Sequence, residues 1–140
     1  MPGMDELDRR ILGILRRDSR TPYTEIADQV GTSEGTVRNR VERLVDEGII
    51  ERFTVATRTG NVKAMIEVSV AVDVDTTDVS ARMAEWNEVD FVWQVSGEAD
   101  IVMVVDAADT QAVNELITKA RDLSEVQNTK TRLILDEQLG

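Results

Sequence analysis

Residues 24–50 read TEIADQVGTSEGTVRNRVERLVDEGII, and this stretch decides the fold of the N-terminal half of the chain. Its first part has the apolar spacing of a helix through Ile26 and Val30, and Gly31 then supplies the left-handed residue that a tight turn needs. Ser33 is positioned to cap a second, longer helix. The inner side of that helix is predicted to carry Val37, Val41, Leu44 and Val45. Two helices joined by such a turn predict a helix-turn-helix unit.

The outer side of the second helix carries residue types with which such units contact DNA. Small side chains at its start let the helix enter a major groove end-on, and arginine or asparagine behind them can reach base edges or phosphates. By helical spacing the candidates are Gly35, Thr36, Asn39 and Arg43, with Arg38 and Arg40 on the flanks. The alternative is a plain solvated helix face, because the bare motif also occurs in proteins that do not bind DNA.

Further elements are predicted on both sides of this unit. Residues 5–17 have acidic residues in the first helical turn and arginines in the last, which matches the helix dipole. Thr21 is predicted to be the N-cap of the next helix, with Pro22 at its first position. After Gly48, the residues IIERFTVAT predict a strand, as in winged helix-turn-helix domains.

The inventory of side chains excludes several classes of function. The chain has no cysteine and no histidine, so disulfides, zinc sites of the Cys/His kind and nucleophilic sites built on histidine are excluded. Any enzyme chemistry is thereby limited to carboxylate, lysine or hydroxyl groups, and we expect no catalytic residue, no metal ligand and no cofactor. The N-terminus is charged from the fifth residue, and no apolar run approaches the length of a membrane span, so we expect a cytoplasmic protein.

The net charge of −11 is distributed unevenly along the chain. Residues 1–60 contain ten basic and eleven acidic residues, which gives −1, whereas residues 61–140 contain six basic and sixteen acidic residues, which gives −10. Every cation of the first half is arginine, the side chain that forks onto phosphates and guanine edges. An acidic coat with little lysine is typical of proteins from a high-salt cytoplasm, and an ordinary acidic regulator is the alternative.

The second half of the chain changes repeatedly between the periods of strands and helices. The predicted segments are strand 65–74, helix 76–87, strand 89–96, strand 101–105, helix 110–123 and strand 126–136. The strand IVMVV at 101–105 is apolar on both faces, which predicts a central position in the sheet. The order βαββαβ is that of a ferredoxin-like sandwich, so the predicted fold class is α+β.

In a ferredoxin-like sandwich the two helices cover one face of the sheet. The other face is still predicted to carry apolar residues, and the commonest cover for such a face is a second copy related by two-fold symmetry. Residues 57–61 have no apolar period and mark a boundary. We therefore predict a DNA-binding domain at 1–56, a linker at 57–63 and a dimerisation domain at 64–140, to which the family resemblance described next adds effector sensing.

Over nearly its full length the chain resembles the Lrp/AsnC family of archaeal and bacterial transcription regulators. The matching stretches are LDRRILGILRRDSRTPYTEIADQVGTSEGTVRNRVERLVDEGII, VDFVWQVSGEADIVMVV and VNELITKARDLSEVQNTKTRLIL. The resemblance implies a regulator that dimerises, often assembles further into octamers, and binds an amino acid or a similar effector in clefts between dimers. With the acidic coat, it favours an archaeal regulator of the haloarchaeal type.

The resemblance also implies two sets of site residues. By position, the residues facing DNA would be Ser33, Thr36, Arg38, Asn39, Arg40 and Arg43, and the effector cleft would be lined by Gly97, Glu98, Ala99 and Asp100, with Thr131 nearby. A glycine turn exposes N–H groups to a carboxylate, and Asp100 can accept from an ammonium group. The alternative for residues 97–100 is an ordinary hairpin turn.

The chain departs from the family pattern in two respects. The linker is shorter than the Pro- and Leu-Gly-containing connection usual in the family. The acidity of the second half would place a neutral amino acid in a strongly negative field, so a cationic effector, or none, is an alternative.

Three functions follow from this reading of the sequence. The primary hypothesis is a sequence-specific, effector-modulated transcription regulator that binds a pseudo-palindromic site as a dimer. The alternative is an architectural protein of low specificity that wraps DNA as an oligomer. The third is an enzyme on the ferredoxin-like sheet, but Asp73, Asp75 and Asp78 resemble a capped, solvated turn rather than a metal site, and no general acid/base pair is evident.

Overall fold

The computed structural model describes residues 3–140, which form two compact units, one ending at Thr57 and one running from Arg58 to Leu139. The helices of the first unit are α1 (Glu6–Arg17), α2 (Tyr23–Val30) and α3 (Glu34–Asp46). The second unit contains β1 (Val62–Val70), α4 (Thr76–Ala84), β2 (Val89–Gln94), β3 (Ile101–Ala107), α5 (Thr110–Arg121) and β4 (Val126–Leu133). The predicted α+β class, a helix-turn-helix unit followed by a βαββαβ sandwich, is confirmed. Among the described residues, no helix is both long and apolar enough to cross a membrane.

The three helices of the first unit pack around a small apolar core. The core residues are Ile11, Leu15, Ile26, Ala27, Val30, Val37 and Val41. Asp5 caps α1 through a capping box, in which its side chain accepts from the Asp8 N–H and the Asp8 side chain accepts from the Asp5 N–H. Arg10 of α1 donates to the carbonyl oxygens of Val30 and Gln29, which ties α1 to the C-terminal end of α2.

The turn of the helix-turn-helix unit has the predicted geometry, with two corrections nearby. Gly31 ends α2 in the left-handed conformation, at φ 75°. The N-cap of α2 is Pro22 rather than Thr21, because the Thr21 hydroxyl donates to the carbonyl of Asp18 at 2.8 Å. Val45, predicted to face inward, is 42% exposed and lies outside the apolar core of the three helices.

The strand predicted after Gly48 is absent from the structure. Residues 51–59 have no regular secondary structure, and Phe53 and Val55 are exposed. A strand needs a neighbouring strand to satisfy its N–H and C=O groups, and no strand lies among residues 3–57 to serve as that neighbour. Within residues 3–57, the helix-turn-helix unit therefore has no wing strand.

The four strands of the second unit form one sheet in the order β2-β3-β1-β4, with antiparallel neighbours. The central position of β3 is as predicted. The face that carries Ile66 of β1 and Met103 of β3 is buried under both helices. The residues that the helices contribute to this core are Val79, Met83, Val113, Leu116 and Ala120. The prediction that both helices cover one sheet face is confirmed.

The predicted strand at 65–74 begins and ends earlier than its alternation indicated. β1 runs from Val62 to Val70, and the register against β4 shifts between Ser69 and Val70. Val72 is fully exposed in the turn that follows. Asp75 then caps α4 by accepting from the backbone N–H groups of Thr77 and Asp78, so this acidic segment serves as a helix start.

Candidate DNA interface and ligand depression

The start of α3 presents several of the predicted DNA-binding residues on one exposed side. The Ser33 hydroxyl accepts from the Thr36 N–H at 3.1 Å, which is the predicted cap, and the two hydroxyls lie 2.9 Å apart. Gly35, Arg38 and Asn39 are exposed, and their spacing of three or four residues places them on one face of the helix. This exposed side holds no bulky apolar side chain at its first turn, so it can approach a groove closely.

The three arginines of α3 all have acidic partners within their own unit. Arg38 pairs with Glu34 at 2.6 Å, one turn earlier, and its guanidinium lies over the ring of Tyr23. Arg40 pairs with Asp5 at 2.5 Å and with Asp8 at 3.1 Å. Arg43 pairs with Asp8 as well. The structure thus brings Arg40 and Arg43 to the acidic start of α1, which is a role that the sequence did not indicate.

Asp8 is the charged residue at the centre of this network, and it is completely buried. Its Oδ1 accepts from Arg40, and its Oδ2 accepts from Arg43 and from the Asp5 N–H. The hydrogen bonds from Arg40 and then from the Asp8 N–H lower the pKa of Asp5 from 3.8 to about 2. The bonds of Arg40 to Asp5 and then to Asp8 raise the pKa of Arg40. The sequence assigned both aspartates only to the helix dipole, although the matching spacing of the two acids and the two arginines was a usable signal.

In the second unit, the predicted residues 97–100 form the turn between β2 and β3. Gly97 has φ 115°, a conformation that a side chain would strain. The Asp100 carboxylate accepts from the Val70 N–H at 2.9 Å, and the Asp100 N–H donates to the Val68 carbonyl. Asp100 therefore attaches the turn to β1 through its side chain as well as its backbone.

Beside this turn, an open depression of about 420 Å³ lies on the sheet face opposite the helices. It is lined by Glu67, Val95, Ser96, Glu98, Ala99, Val102, Lys130 and Arg132. Glu98 and Ala99 are thus brought to the depression as predicted residues, whereas Thr131 is not. Thr131 lies opposite Ile66 in the register, on the face that the helices cover.

The structure adds charged residues to this depression that the sequence analysis missed. Glu67 lies directly opposite Lys130 in the register of β1 and β4, and Arg132 is two residues further along β4. Neither Lys130 nor Arg132 makes an ion pair with another residue of the described chain. The alternation of β4 was the available signal, because it places 130 and 132 on one face and 131 on the other.

The same open face of the sheet carries an apolar patch. Phe91 and Trp93 of β2 stack with ring centroids 5.8 Å apart, and both side chains are about half exposed, at 53% and 48%. They lie opposite Val104 and Val102 of β3, which are only 8% exposed. A patch that combines aromatic and branched side chains in this way is typical of a surface that another protein covers.

Within residues 3–140, no group of three or more His, Cys, Asp or Glu side chains is arranged to hold a metal ion. Several acidic residues of the second unit instead cap helices or form ion pairs. Arg82 of α4, for example, pairs with both Asp78 and Glu125. The hydrogen bonds that Glu125 accepts from its own backbone N–H and from Arg82 lower the pKa of that carboxyl.

Comparison with known proteins gives the same division of the chain. Residues 4–45 match the AsnC-type helix-turn-helix domain, and residues 63–138 match the Lrp/AsnC ligand binding domain. The chain belongs to the Lrp/AsnC family of transcription regulators. Members of the Lrp/AsnC family bind DNA through the first of these domains, and the family is one of regulators rather than enzymes.

Among Lrp/AsnC relatives, the transcriptional regulator LysM of Sulfurisphaera tokodaii is 35% identical over 136 residues, which cover 96% of this chain and 97% of LysM. The crystal structure of MtbAldR superimposes with a TM-score of 0.86 at 28% identity, covering 98% of this chain and 95% of that one. The feast or famine regulatory protein from M. tuberculosis, complexed with L-methionine, has a TM-score of 0.84 at 25% identity, with 99% and 96% covered. The chain is thus similar to whole Lrp/AsnC proteins and not to one domain alone.

Proposed function

We propose that this protein is a sequence-specific transcription regulator that binds a pseudo-palindromic DNA site as a dimer and responds to an amino acid. The observation that carries this proposal is the exposed start of α3, where Gly35, Arg38 and Asn39 follow a capped helix N-terminus and a tight turn. In this proposal, DNA is bound by residues 1–56, and dimerisation and effector binding belong to residues 64–140. Residues 57–63 are the linker between the two domains. A protein with this task acts where the chromosome lies, in the cytoplasm.

The residues that we assign to the DNA contact are Ser33, Gly35, Thr36, Arg38 and Asn39. The hydroxyls and the helix N-terminus offer donors to phosphate, while Asn39 and Arg38 are long enough to reach base edges. If Asn39 reads a base, Asn39→Ala should weaken binding to the selected site by about 1–3 kcal/mol and relax specificity at one position. If Arg38 contacts a phosphate, Arg38→Ala should make the salt dependence shallower by about one unit of slope.

Selection of binding sites from a random DNA pool, followed by footprinting, tests this assignment. A single compact palindrome that is protected by the wild-type protein, and that is no longer selected by Asn39→Ala, is the expected result. Arg16→Ala, which removes an exposed arginine of α1, serves as the matched control and should leave the selected sequence unchanged. Selection of the same palindrome with the same discrimination by Asn39→Ala and Arg38→Ala would refute the residue assignment.

The partner in the dimer is a second copy of the chain, packed through the apolar patch of Phe91, Trp93, Val102 and Val104. Two-fold symmetry makes such a patch self-complementary, and it presents two copies of α3 to successive turns of DNA, about 34–36 Å apart. The proposal includes the further assembly of four such dimers into an octamer. Sedimentation across a range of protein concentrations distinguishes a dimer from an octamer.

The effector site that we propose is the depression lined by Glu67, Glu98, Lys130 and Arg132. An amino acid has one carboxylate and one ammonium group, and this surface offers two cations for the first and two carboxylates for the second. The relatives support the class of ligand, because one is named a regulator LysM and another is complexed with L-methionine. A ligand with a cationic side chain is the favoured member of the class, since residues 61–140 have a net charge of −10.

A thermal-shift screen of the twenty amino acids tests the effector proposal, because a ligand that binds only the folded state raises stability by RT ln(1 + [L]/Kd). One amino acid should raise the melting temperature of the wild-type protein, and Arg132→Gln should abolish that shift. Arg121→Gln, which removes an arginine of α5 outside the depression, is the control and should keep it. A screen in which no amino acid stabilises the protein would contradict the proposal.

The acidic second half also leads us to propose a saline cytoplasm and a source of the haloarchaeal type. In concentrated salt, counterion release contributes little to DNA affinity, so neutral contacts from Gly35, Thr36 and Asn39 carry more of the binding. Affinity that persists above molar salt is the expected result. A steep, conventional loss of affinity between low and moderate salt would count against this source.

One observation favours a second candidate function, an architectural protein that wraps DNA with low specificity. Besides α3, the first unit has a basic groove of about 400 Å³ on α1, and Arg10 and Arg17 line it. A second cationic surface of this kind suits a phosphate backbone that bends around the protein. Gel shifts that depend on DNA length and show no preferred sequence would favour this candidate over the first.

A further inference from the structure

The junction between α1 and α3 is a closed set of two carboxylates and two guanidinium groups. Asp5 and Asp8 are three residues apart on α1, Arg40 and Arg43 are three residues apart on α3, and each pair therefore lies on one face of its helix. Arg40 bonds to both aspartates, and Arg43 bonds to Asp8. The charges of the four groups sum to zero.

The burial of Asp8 makes these pairs hard to exchange for contacts with DNA. Asp8 is fully buried, and both of its carboxylate oxygens accept from guanidinium groups. Withdrawing one partner from a buried ion pair leaves an uncompensated charge, which is strongly unfavourable. If Arg43 moved to a phosphate, Asp8 would lose one of its two cations, and only Arg40 would still pair α3 with the start of α1.

We propose that Asp8 is a positioning residue for DNA recognition, acting through Arg40 and Arg43, and that these two arginines brace α3 instead of contacting DNA. The proposal rests on the proposed function, since it concerns how that function selects a sequence. Asp8 fixes the rotation and tilt of α3, and the residues that read DNA are then Thr36, Arg38 and Asn39. Asp8 determines specificity without touching the DNA.

The proposal has a measurable electrostatic consequence. Arg40 and Arg43 are held by the buried Asp8, whereas Arg38 pairs with the exposed Glu34 and can exchange that partner for a phosphate. Arg40 and Arg43 therefore release no counterion from DNA and add nothing to the salt dependence of binding. Each cation that does contact a phosphate makes the slope of log K against log salt steeper by about 0.9. A variant that frees Arg43 from Asp8 should gain a phosphate contact that the wild-type protein lacks.

The decisive variant is Asp8→Asn, which keeps the shape of the side chain and removes its charge. Its ratio of specific to non-specific affinity should fall by about tenfold or more, the equivalent of one lost base contact, while its salt slope steepens by about one. Asp28→Asn is the matched control, because it makes the same charge change at an exposed position of α2. A folded Asp8→Asn protein with the specificity ratio and salt slope of Asp28→Asn would overturn the proposal.

If circular dichroism shows that Asp8→Asn does not fold, the variant Arg43→Gln tests the same ion pair through its other member. If Arg43 only holds α3 in place, Arg43→Gln should leave the salt slope unchanged and lower the ratio of specific to non-specific affinity. If Arg43 contacts a phosphate, the variant should have a slope shallower by about one and an unchanged affinity ratio. The second outcome overturns the proposal. The wild-type protein is measured alongside, so that the two proposals can fail separately. If the wild-type chain selects no sequence, the proposed function is refuted, whatever the role of Asp8.

Discussion

Trp93 offers the most direct test of the surface through which two copies of the chain would pair. It lies on the open face of the sheet, stacked on Phe91 and 48% exposed. An aromatic side chain buries about 150–250 Å² when fully covered, so roughly 100 Å² of Trp93 remains to be covered by a partner. At about 25 cal/mol per Å², covering this area contributes about 2.5 kcal/mol for each copy.

In the proposed two-fold symmetric dimer, Trp93→Ala removes this contribution twice. The expected loss is about 5 kcal/mol of association free energy, which raises the dissociation constant of the dimer by roughly three to four powers of ten. Sedimentation equilibrium over a range of protein concentrations measures this change directly. Binding to a palindromic site should weaken in parallel, while binding to an isolated half-site should change little.

The control for this experiment is Val72→Ser. Val72 is fully exposed, but it lies in the turn after β1 and not on the open sheet face, so it should leave the dissociation constant unchanged. Circular dichroism establishes that Trp93→Ala keeps its fold. The reasoning is refuted if Trp93→Ala dissociates at the same concentration as the wild-type protein, or if the wild-type protein is itself monomeric at micromolar concentration.

Three further predictions concern the helical unit alone. Leu44 is completely buried, so Leu44→Ala should lower the free energy of unfolding by about 2–5 kcal/mol in urea titrations. Gly31→Ala should lower the free energy of unfolding by about 1 kcal/mol, because Gly31 has a positive φ. Gly35→Ala, at an ordinary helical position, should raise it by up to about 1 kcal/mol. Thermal unfolding measures both changes. The hydrogen bonds from the Arg40 guanidinium and, to a lesser extent, from the Asp8 N–H lower the pKa of Asp5 from 3.8 to about 2. The stability that these bonds contribute is fully present above about pH 4 and lost as the pH falls toward 2. An acid titration of Asp5→Asn should lack that loss.

Local rules were sufficient for most of the elements and for most of the core. The alternation through Ile66 and Val68 predicted which face of β1 is buried, because neighbouring side chains in a strand always point to opposite faces. Ser33 and Gly31 predicted the ends of the helices, because caps depend on a few consecutive residues. These features need no knowledge of the tertiary fold.

The features that the sequence analysis missed depend on residues distant in the chain. The pairing of Asp8 with Arg43 spans 35 positions, and nothing in either helix alone specifies its partner. Glu67 and Lys130 meet in the depression only because β1 and β4 are neighbours in the sheet. Thr131 lies outside the depression for a reason that the sequence does show, since strand alternation places it on the face opposite to that of Lys130.

The strand predicted after Gly48 was wrong for a related reason. The composition of residues 49–57 suits a strand, but strands form in pairs, and propensity does not supply the neighbour. The end of β1 shows the same limit, because the valines at 72 and 74 continue the alternation after the sheet has ended. A periodic pattern indicates which conformation a segment prefers, while the available partners decide where that conformation stops.

The ion pairs of α3 have a consequence for anyone who would transplant this helix. In its own unit, Arg40 and Arg43 are neutralised by Asp5 and Asp8. Grafted onto a scaffold whose first helix lacks these two acids, the same thirteen residues of α3 would present two uncompensated cations and bind any duplex more tightly. The unit that can be exchanged between regulators is therefore α1 together with α3. The helix α3 transferred alone would bind DNA through its positive charge but would not discriminate between sequences.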